Sequence, residues 1–596
     1  MFLKTSYNKE TKKTQMSIVQ GYRQNGKIKH KVLENLGFAE DYSDQYDDPI
    51  RHFKAVVEER NNAAKQVPSK LDIDLLKKLQ PDSSERKNLG YAAIKAIYNE
   101  LGLQRFFQYK QRFIKAEYNL NNIFSLLIYN RFLYPSSKKK AYDTRDVFFD
   151  KLSFQLEDVY RSLDFFESYA EEIQNLLAKK TKEMFGRDTS FGYWDVTNYY
   201  FEIPYEDEDE VDACGNVIKK GQKKRGPSKE HRKDPIIQMG LLMDSKGIPI
   251  GYNTFSGGES EKTNMLPAIR RAKRDLEMER IIVVADRGLN TSDNTAFLSG
   301  KNDDETKGND GYIYGQSILG ADKEFRDWVL NSNGYTDDKE VDKDGETVIF
   351  RHKSRITAKK IMLKNSKGER KLPFEIYQKQ MVYYSEKYAK KQKKDRERII
   401  AKAKALIASP EQFTRATAYG AAAYVNNIHF AKDTGEIVKG QLLTLNQDKI
   451  DEEAKYDGYY SIVTSEKDMA DSEIRRIYKG LWEIEESFKI MKSEFKARPV
   501  FVRTDEHVAA HFLTCYVSLV IMRVLEHKLN EKYTTKQIRN ALLNYGCSYL
   551  DQNYYIFDYR DAVLDEIGNI FKWDLTQKYM PLSTIKNILK RQNSSG

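Results

Sequence analysis

Three acidic residues occupy positions from which a carboxylate could take part in chemistry. Asp195 lies in an aromatic and β-branched segment, residues 190–201, which is typical of a strand. Asp286 directly follows an unbroken apolar run, residues 281–285, which predicts a strand buried on both faces. Glu485 lies in a segment with the periodicity of a helix. Carboxylate oxygens are ligands that Mg²⁺ prefers, so these three residues indicate a candidate divalent metal site.

The segment around Glu485 predicts a helix with an unusual face. Steps of three and four residues place five side chains on one stripe: Tyr478, Leu481, Glu485, Phe488 and Lys492. A stripe that faces a core should be apolar, yet this one carries a carboxylate and an amine. An unpaired buried carboxylate is costly, so Glu485 would need a cationic side chain, a proton or a metal ion beside it. The alternative is an amphipathic helix with Glu485 and Lys492 at the wet edge of the stripe.

The elements between the two aspartates follow an informative order. Residues 235–244 and 248–255 read as strands, and Ser245-Lys246-Gly247 between them is typical of a hairpin turn. A helix is predicted over 261–278, and the strand of Asp286 follows it. Three strands, a helix and a strand, with an aspartate on the first and the last strand, form the order of a ribonuclease-H-like core.

Several short motifs carry a family resemblance. They are Trp194-Asp195-Val196-Thr197, Ala285-Asp286-Arg287-Gly288, Arg498-Pro499-Val500, and the set Tyr478, Glu485 and Lys492. Over about residues 185–525 the chain resembles the DDE transposases of bacterial insertion sequences, in the group with a Tyr-(2)-Arg-(3)-Glu-(6)-Lys signature and a β-rich insertion. Leu481 occupies the arginine position, which is similar to the Leu-Trp variant of one subgroup.

The resemblance implies an enzyme that cleaves DNA and joins the cut ends to a target. In such enzymes Asp195 would bridge two Mg²⁺ or Mn²⁺ ions, and Asp286 and Glu485 would each bind one of them. Tyr478 and Lys492 would hold the terminal 5′ phosphate, and the freed 3′-hydroxyl would attack target DNA. Because Leu481 cannot make the contact of an arginine, the resemblance does not imply a DNA hairpin intermediate.

The same patterns predict an α/β fold with a ribonuclease-H-like catalytic core, a β-rich insertion and a helical N-terminal DNA-binding region. The expected domains are a basic β-hairpin (1–40), a helical DNA-binding region (41–185), the first part of the core (186–300), the insertion (301–455), the second part of the core (456–530) and a C-terminal helical region (531–596).

Basic residues indicate a polyanionic partner. The chain has 99 Lys and Arg against 88 Asp and Glu, a net charge of +11, with basic runs at 219–227 and 387–396 and an acidic run at 206–210. A solvated surface is the alternative for each run. Residues expected to contact double-stranded DNA are Tyr478, Lys492, Lys489, Arg287, Lys223, Lys224, Arg225, Lys138, Lys139 and Lys140.

Two segments near the N-terminus are candidate DNA readers. Residues 1–40 alternate around Asn25-Gly26, which predicts a hairpin with basic residues on both sides of the turn. Residues 131–140 form a basic turn between predicted helices, which is compatible with a helix-turn-helix. Either segment could instead have a structural role.

The cysteine content and the apolar stretches favour a cytoplasmic protein with no membrane contact, and the resemblance implies a bacterial protein associated with the nucleoid. Its three cysteines are widely spaced, which argues against disulfides and zinc. The longest apolar stretch, 508–522, contains His511 and is expected to be too short to span a bilayer. His511 is expected to pack or cap within its helix, and the alternative is contact with the active site or DNA. The resemblance implies a homodimer on DNA.

Two other functions remain open from the sequence alone. A metal-dependent nuclease without strand transfer would carry the same three carboxylates. A domesticated, non-catalytic DNA-binding protein is less compatible with their retention. Inverted repeats in the DNA that flanks the encoding gene would separate a transposase from both.

Overall fold

The structure is a computed structural model, which describes residues 1–590 except 25–26, 47, 66–75, 77, 79–83, 189, 227–232, 300–309, 342–346, 364–372, 416, 432–435, 439 and 441. It is a mixed α/β protein that divides into two compact units. The smaller unit comprises Met1–Ser83 and Leu550–Tyr554, and the larger comprises Ser84–Tyr549 and Tyr555–Gly596.

The smaller unit is built on a three-stranded antiparallel sheet in the order β1-β2-β3, followed by one helix. Its elements are β1 (Phe2–Asn8), β2 (Lys13–Gln24), β3 (Lys27–Phe38) and α1 (Pro49–Lys65). The strands of the predicted hairpin pair from Gln24 and Lys27 onwards, whereas its turn residues Asn25 and Gly26 lie outside the described residues. The unit is larger than the hairpin predicted from the sequence because α1 packs on the sheet through Val57.

The larger unit contains the remaining elements. Its strands are β4 (Arg86–Asn88), β5 (Phe191–Tyr200), β6 (Glu210–Val211), β7 (Val217–Lys219), β8 (Ile236–Met243), β9 (Pro249–Ser256), β10 (Ile282–Ala285), β11 (Gly311–Gln316), β12 (Thr336–Val341), β13 (Thr347–Ile361), β14 (Phe374–Tyr384), β15 (Val425–Asn426), β16 (Thr444–Leu445), β17 (Tyr459–Thr464), β18 (Gly546–Tyr549), β19 (Tyr554–Phe557) and β20 (Tyr579–Pro581).

The helices of the larger unit are α2 (Tyr91–Glu100), α3 (Leu103–Lys110), α4 (Leu120–Leu133), α5 (Lys138–Asp143), α6 (Leu156–Ser168), α7 (Ala170–Phe185), α8 (Glu261–Asp275), α9 (Ser292–Leu298), α10 (Lys323–Leu330), α11 (Glu386–Ala408), α12 (Gln447–Ala454), α13 (Asp471–Lys479), α14 (Trp482–Lys489), α15 (Asp505–Lys528), α16 (Thr535–Asn544), α17 (Ala562–Phe571) and α18 (Leu582–Lys590). A π-helical turn, Ile490–Glu494, continues α14.

A nine-stranded sheet in the order β12-β13-β14-β17-β11-β10-β5-β8-β9 forms the centre of the larger unit. β5, β10 and β11 run parallel, whereas β8 and β9 are antiparallel to their neighbours. The predicted β8–β9 hairpin, the helix α8 and the strand that ends before Asp286 are all present. β8 is buried along its whole length, as expected for an apolar strand inside a two-faced sheet.

Two strands take places that the sequence did not predict. β11 falls within the range predicted for the insertion, 301–455, but it lies in the central sheet, parallel to β10. β17 falls within the predicted second part of the core and lies beyond β11, antiparallel to it. β12, β13 and β14 then continue the same sheet, which pairs an edge that would otherwise expose backbone groups.

Helices cover the central sheet on both faces. One apolar core contains side chains from α4, α13, α14 and α15, and the other contains side chains from α8 and α9. α15 has 24 residues, so its length and composition would allow it to cross a membrane, contrary to the expectation of a stretch that is too short. Its apolar window is 94% buried inside the protein, the environment of a core helix.

Candidate active site

The fold brings the two aspartates to the same level of the sheet. In the parallel pair of β5 and β10, Tyr193 stands opposite Val284. Two further residues along each strand place Asp195 beside Asp286, whose backbone remains extended at φ −71° and ψ 174°. Neighbouring strands lie about 4.8 Å apart, and residues at the same level point to the same face. The two carboxylates therefore form a pair on one face of the sheet.

Local hydrogen bonds orient both carboxylates. Asp286 Oδ1 accepts a hydrogen bond of 2.7 Å from the backbone N–H of Gly288, and so caps a short 3₁₀ turn at the strand end. Asp195 Oδ1 accepts one of 2.7 Å from the backbone N–H of Val196. Asp286 is exposed and Asp195 is half-buried. The strand end and the turn together fix the direction in which each carboxylate points.

Glu485 projects from α14, but the helix differs from the one predicted. α13 ends at Lys479, and α14 begins only at Trp482, so Tyr478 and Glu485 lie on different helices. The buried face of α14 consists of Ile484, Ser487 and Phe488, whereas Glu485 is exposed. For Glu485 the alternative of a carboxylate at the wet edge of the stripe is therefore confirmed, and that of a buried carboxylate with a counter-ion is wrong.

A close approach between Gly480 and Tyr193 accounts for the break between α13 and α14. The Tyr193 hydroxyl donates a hydrogen bond of 2.9 Å to the carbonyl of Ile477, the last buried residue of α13. A Cβ atom on Gly480 would lie 1.9 Å from that hydroxyl oxygen. Only glycine fits there, so the junction packs directly on β5 two residues from Asp195.

Arg523 of α15 fixes the position of α14. Its guanidinium donates to the carbonyl of Glu483 at 3.1 Å and to Ser487 Oγ at 2.8 Å, and it pairs with Glu526 at 2.9 Å. Burial, opposed by Arg523, raises the pKa of Glu483 to about 7. This anchor was not predicted from the sequence, although an arginine within an apolar helix was the available signal.

A cavity of about 820 Å³ opens between Glu485 and the strand ends. Asp286 and Glu485 line it together, as do Arg287 and Tyr478. Further lining residues come from α11, from the turn that ends at Tyr424, from residues 453–457 and from the start of β17. They include Tyr388, Gln392, Arg396, Tyr424, Tyr456, Asp457 and Tyr459. The carboxylates of Asp286 and Glu485 together with several aromatic side chains suit a ligand with both phosphate and base character.

Tyr478 lies between the acidic residues of this cavity. Burial, reinforced by the negative charges of Asp286 and Glu485, raises the pKa of its hydroxyl far above the ordinary value, so the hydroxyl remains a hydrogen-bond donor. A Cβ atom on Gly315 would approach that hydroxyl to 2.5 Å. The glycine therefore leaves the space in which the Tyr478 hydroxyl sits.

Lys492 lies beside the strand of the first aspartate. Its Nζ donates a hydrogen bond of 2.6 Å to Thr197 Oγ1 and lies 5.5 Å from the centre of the Tyr199 ring. Thr197 stands two residues beyond Asp195, on the same face of β5. Lys492 therefore reaches the face of the sheet that carries Asp195.

The three carboxylates are not drawn together into a ready-made metal cage. Among the described residues, no group of three or more His, Cys, Asp and Glu side chains is placed so that it could hold a metal ion. Asp195 and Asp286 offer hard oxygen donors on adjacent strands, and Glu485 offers another across the cavity. This donor set fits a hard cation such as Mg²⁺, which usually takes only one or two carboxylates and keeps several water ligands.

Three cations of the basic run 219–225 have partners within the protein. Lys223 is only 5% exposed, pairs with Asp207 at 2.8 Å and donates to the carbonyl of Arg503 at 2.6 Å. Lys224 pairs with Asp209 at 3.0 Å. Arg225 Nη2 donates to the carbonyl of Pro204 at 2.7 Å, and its Nε lies 4.0 Å from Glu206. The acidic run 206–210 thus binds the basic run, and Lys223 is not accessible to a DNA phosphate.

The basic turn 131–140 is also partly structural. Lys138 is 7% exposed, with its Nζ 3.2 Å from His511 Nδ1, so it cannot contact DNA in this structure. All but two of the 14 residues of α4 are buried, which leaves this helix no free face to enter a DNA groove. Lys139 and Lys140 are exposed. His511 is buried, as predicted.

Other cations remain at the surface. Arg287 and Lys489 are exposed close to Asp286 and Glu485 in the chain. On α11, Arg396 is engaged by Asp457, whereas Lys393 and Lys394 are exposed. These side chains are placed where a polyanion could reach them.

Comparison with protein families identifies the class of protein. The transposase DDE domain matches residues 321–521, a segment that contains Glu485 and begins after Asp286. The N-terminal domain of IS1634 family transposases matches residues 3–70, within the smaller unit. The chain belongs to the DDE transposases of insertion sequences. No curated protein is significantly similar to it.

Proposed function

We propose that this chain binds the inverted-repeat ends of an insertion sequence, cleaves them by metal-dependent phosphodiester hydrolysis and joins the 3′ ends to target DNA. The observation that carries this proposal is that Asp195 and Asp286 lie next to each other on adjacent parallel strands. Glu485 lines the same cavity as Asp286. The family membership supports a transposase; the cleavage and joining chemistry is our inference from the site.

A ribonuclease-H-like core is the finer fold that we propose. Its support is the order of elements: β5, β8 and β9 form an antiparallel meander, α8 crosses over, and β10 returns parallel to β5. The two aspartates fall on the first strand and at the end of the strand after the helix. Ligands gather at such strand ends in open α/β sheets.

The carboxylates would hold two Mg²⁺ or Mn²⁺ ions. Asp195 would contribute to both, and Asp286 and Glu485 to one each, with waters and DNA phosphate oxygens as the remaining ligands. Bound ions would supply an activated water and stabilise the leaving oxygen. The short turn that orients Asp286 and the Arg523 anchor that holds α14 are the parts of the chain that keep these donors in place.

Lys492 and Tyr478 would hold the terminal 5′ phosphate, Lys492 by charge and Tyr478 as a neutral donor. The high pKa of Tyr478 supports this role, because the hydroxyl keeps its proton beside two carboxylates. Leu481 adds no charge at the site. We therefore do not include a DNA hairpin in the reaction.

The proposed partner is double-stranded DNA, bound by a homodimer in the bacterial cytoplasm near the nucleoid. The exposed cations Arg287, Lys489, Lys139 and Lys140 are the proposed phosphate contacts, together with the exposed lysines of α11. The paired cations of residues 219–225 are not included.

Single-residue variants test this proposal on a duplex made from the DNA that flanks the encoding gene. Asp195→Asn, Asp286→Asn and Glu485→Gln should each abolish Mg²⁺-dependent cleavage and leave duplex affinity nearly unchanged, because each removes a metal ligand and no cation. Glu473→Gln, an exposed glutamate on α13, is the matched control and should cleave normally.

Metal substitution provides the second readout of the same experiment. Mn²⁺ should replace Mg²⁺, whereas Ca²⁺ should support binding only, since it takes more ligands at longer distances. Cleavage in EDTA would refute the metal mechanism. Normal cleavage by any of the three variants would remove that residue from the site, and DNA binding without cleavage by the wild-type protein would favour a non-catalytic DNA-binding protein.

A further inference from the structure

Three consecutive backbone carbonyls just after the π-helical turn receive hydrogen bonds from buried side chains of other helices. Arg131 of α4 donates through Nη1 to the carbonyl of Phe495 at 2.9 Å and to that of Lys496 at 3.3 Å. His511 Nε2 of α15 donates to the carbonyl of Ala497 at 3.0 Å. Buried carbonyls need a donor, and these two side chains, which we call the cap, supply it to the segment that leaves the π-helical turn.

Lys138 and Arg131 together determine which ring nitrogen of His511 carries the proton, because both donate towards Nδ1. Lys138 Nζ lies 3.2 Å from His511 Nδ1 and acts as the donor, so Nδ1 accepts and Nε2 bears the hydrogen that bonds Ala497. Burial, with the charges of Lys138 and Arg131, lowers the pKa of His511 far below its ordinary value. The imidazole therefore stays neutral, in the tautomer that the cap requires.

The donors of this cap are held rigidly. Arg131 is 6% exposed and His511 is 4% exposed, so neither side chain can exchange its partners for water. Arg539 of α16 fixes the end of α4 by donating to the carbonyls of Phe132 at 2.9 Å and Leu133 at 3.0 Å. The cap thus links the end of the π-helical turn to two buried helices.

The capped segment controls where Lys492 can reach. Lys492 lies inside the π-helical turn, three residues before Phe495, and its Nζ spans to Thr197 on β5. A π-helical turn is a widened turn that occurs mostly as a single turn, frequently at functional sites, and tertiary contacts have to hold its two ends. Here α14 holds one end, and Arg131 and His511 hold the other.

We infer that Arg131, Lys138 and His511 form a clamp that positions Lys492 for the terminal phosphate of the DNA end. This inference rests on the proposed function, in which Lys492 contacts that phosphate. The three are positioning residues, since they act on the backbone of the turn. Arg131 and Lys138 belong to the helical region 41–185, which is predicted to bind DNA. Through the clamp this region would also affect DNA cleavage.

The test compares two substitutions of His511 in the full-length protein. His511→Gln keeps an amide donor near the position of Nε2, and His511→Leu keeps volume without a donor. Single-turnover cleavage should fall roughly 10- to 100-fold in His511→Leu, since small displacements at a site have effects of this size, and should be largely retained in His511→Gln. Duplex affinity should change less than about twofold in both variants, since neither touches a proposed phosphate contact.

The matched control is Thr514→Val. Thr514 is equally buried, lies one turn further along α15, and bonds through its hydroxyl to the carbonyl of Ala510. It should reduce stability without a loss of cleavage per folded molecule, which melting curves of each variant establish.

A double-mutant cycle separates positioning from a general structural role. If the clamp acts through Lys492, His511→Leu should cause no further loss in a Lys492→Ala background. Equal losses in both backgrounds, or equal rates for His511→Leu and His511→Gln, would overturn the clamp. If His511→Leu does not fold, Arg131→Lys replaces it in the same cycle. DNA binding without any cleavage by the wild-type protein would instead refute the proposed function itself.

Discussion

The candidate catalytic carboxylates and the candidate DNA-binding lysines differ in the sequence pattern that indicates them and in where the structure places them. Asp195 and Asp286 were found by their places on strands, and they lie side by side. Lys138 and Lys223 were found by local charge, and both are buried. The position of a residue on a strand determines which face of the sheet its side chain occupies. A run of lysines does not determine whether each side chain is exposed, because that depends on which residues pack against it.

The two basic runs show the same contrast. Lys223 and Lys224 are paired by the acidic run 206–210, which lies just before them in the chain. On α11 the acidic partner Asp457 reaches Arg396, and the helix leaves Lys393 and Lys394 exposed. Net charge alone therefore does not separate cations that bind DNA from cations that hold the fold.

The largest effect on stability should come from Lys223. Lys223→Met should lower the free energy of unfolding by about 3 kcal/mol, because Asp207 and the carbonyl of Arg503 lose their partner in a mostly buried position. Lys220→Met is the control, since Lys220 is exposed and pairs with Glu259, and should cost less than about 1 kcal/mol. If Lys223→Met has wild-type stability but binds DNA more weakly, Lys223 contacts DNA and does not stabilise the fold.

Lys138 should make stability depend on pH. Burial and the charge of Arg131 lower its pKa in the folded protein to about 7, below that of an unfolded lysine, about 10.4. Between these values the unfolded chain binds more protons, so the free energy of unfolding should rise with pH from about 7 to 10. Below pH 7 Lys138 is charged in both the folded and the unfolded state, so the full cost of burying its charge lowers the free energy of unfolding.

Urea unfolding at pH 6.5 and pH 9 measures this dependence. The gain in stability between the two values should be larger for the wild-type protein than for Lys138→Met. Lys139→Met, which alters an exposed lysine, should follow the wild-type protein. If the free energy of unfolding changes equally with pH in wild-type and Lys138→Met, Lys138 is not buried beside Arg131 and His511.

The smallest effect concerns the surface. Lys393→Ala and Lys394→Ala should each weaken DNA binding for all sequences alike and flatten the dependence of log affinity on log salt concentration by about 0.9 for each phosphate that the protein no longer neutralises. Stability should not change. In Lys224→Ala the slope of log affinity against log salt concentration should stay at the wild-type value. A flatter slope would show that the run 219–225 contacts DNA.

Much of the fold could be predicted because its signals are local. The apolar runs of β8 and β10, the turn at Ser245-Lys246-Gly247 and the periodicity of α8 all gave the correct element type. The place of β11 in the central sheet could not be predicted, since a short apolar strand does not specify which strands it pairs with. The domain boundaries at 185, 300, 455 and 530 remain predictions.

The site was predictable in part for the same reason. The periodicity of residues 477–492 gave helical structure but not the break at Gly480, which depends on the Tyr193 side chain from a strand almost 300 residues earlier. It left open whether Glu485 is buried or lies at the wet edge of the stripe, and the structure shows it exposed. The anchor Arg523 and the clamp around His511 are tertiary arrangements whose members each look ordinary in the sequence.

The joining of a pre-cut DNA end tests the central claim most directly. A duplex with a free 3′-hydroxyl at the end of the flanking repeat, incubated with supercoiled plasmid and Mg²⁺, needs only the active site described above. We predict that the wild-type protein joins the end to the plasmid and that Glu485→Gln does not, while both bind the duplex equally. Cleavage of uncut ends without any joining of pre-cut ends would contradict a transposase and favour a nuclease.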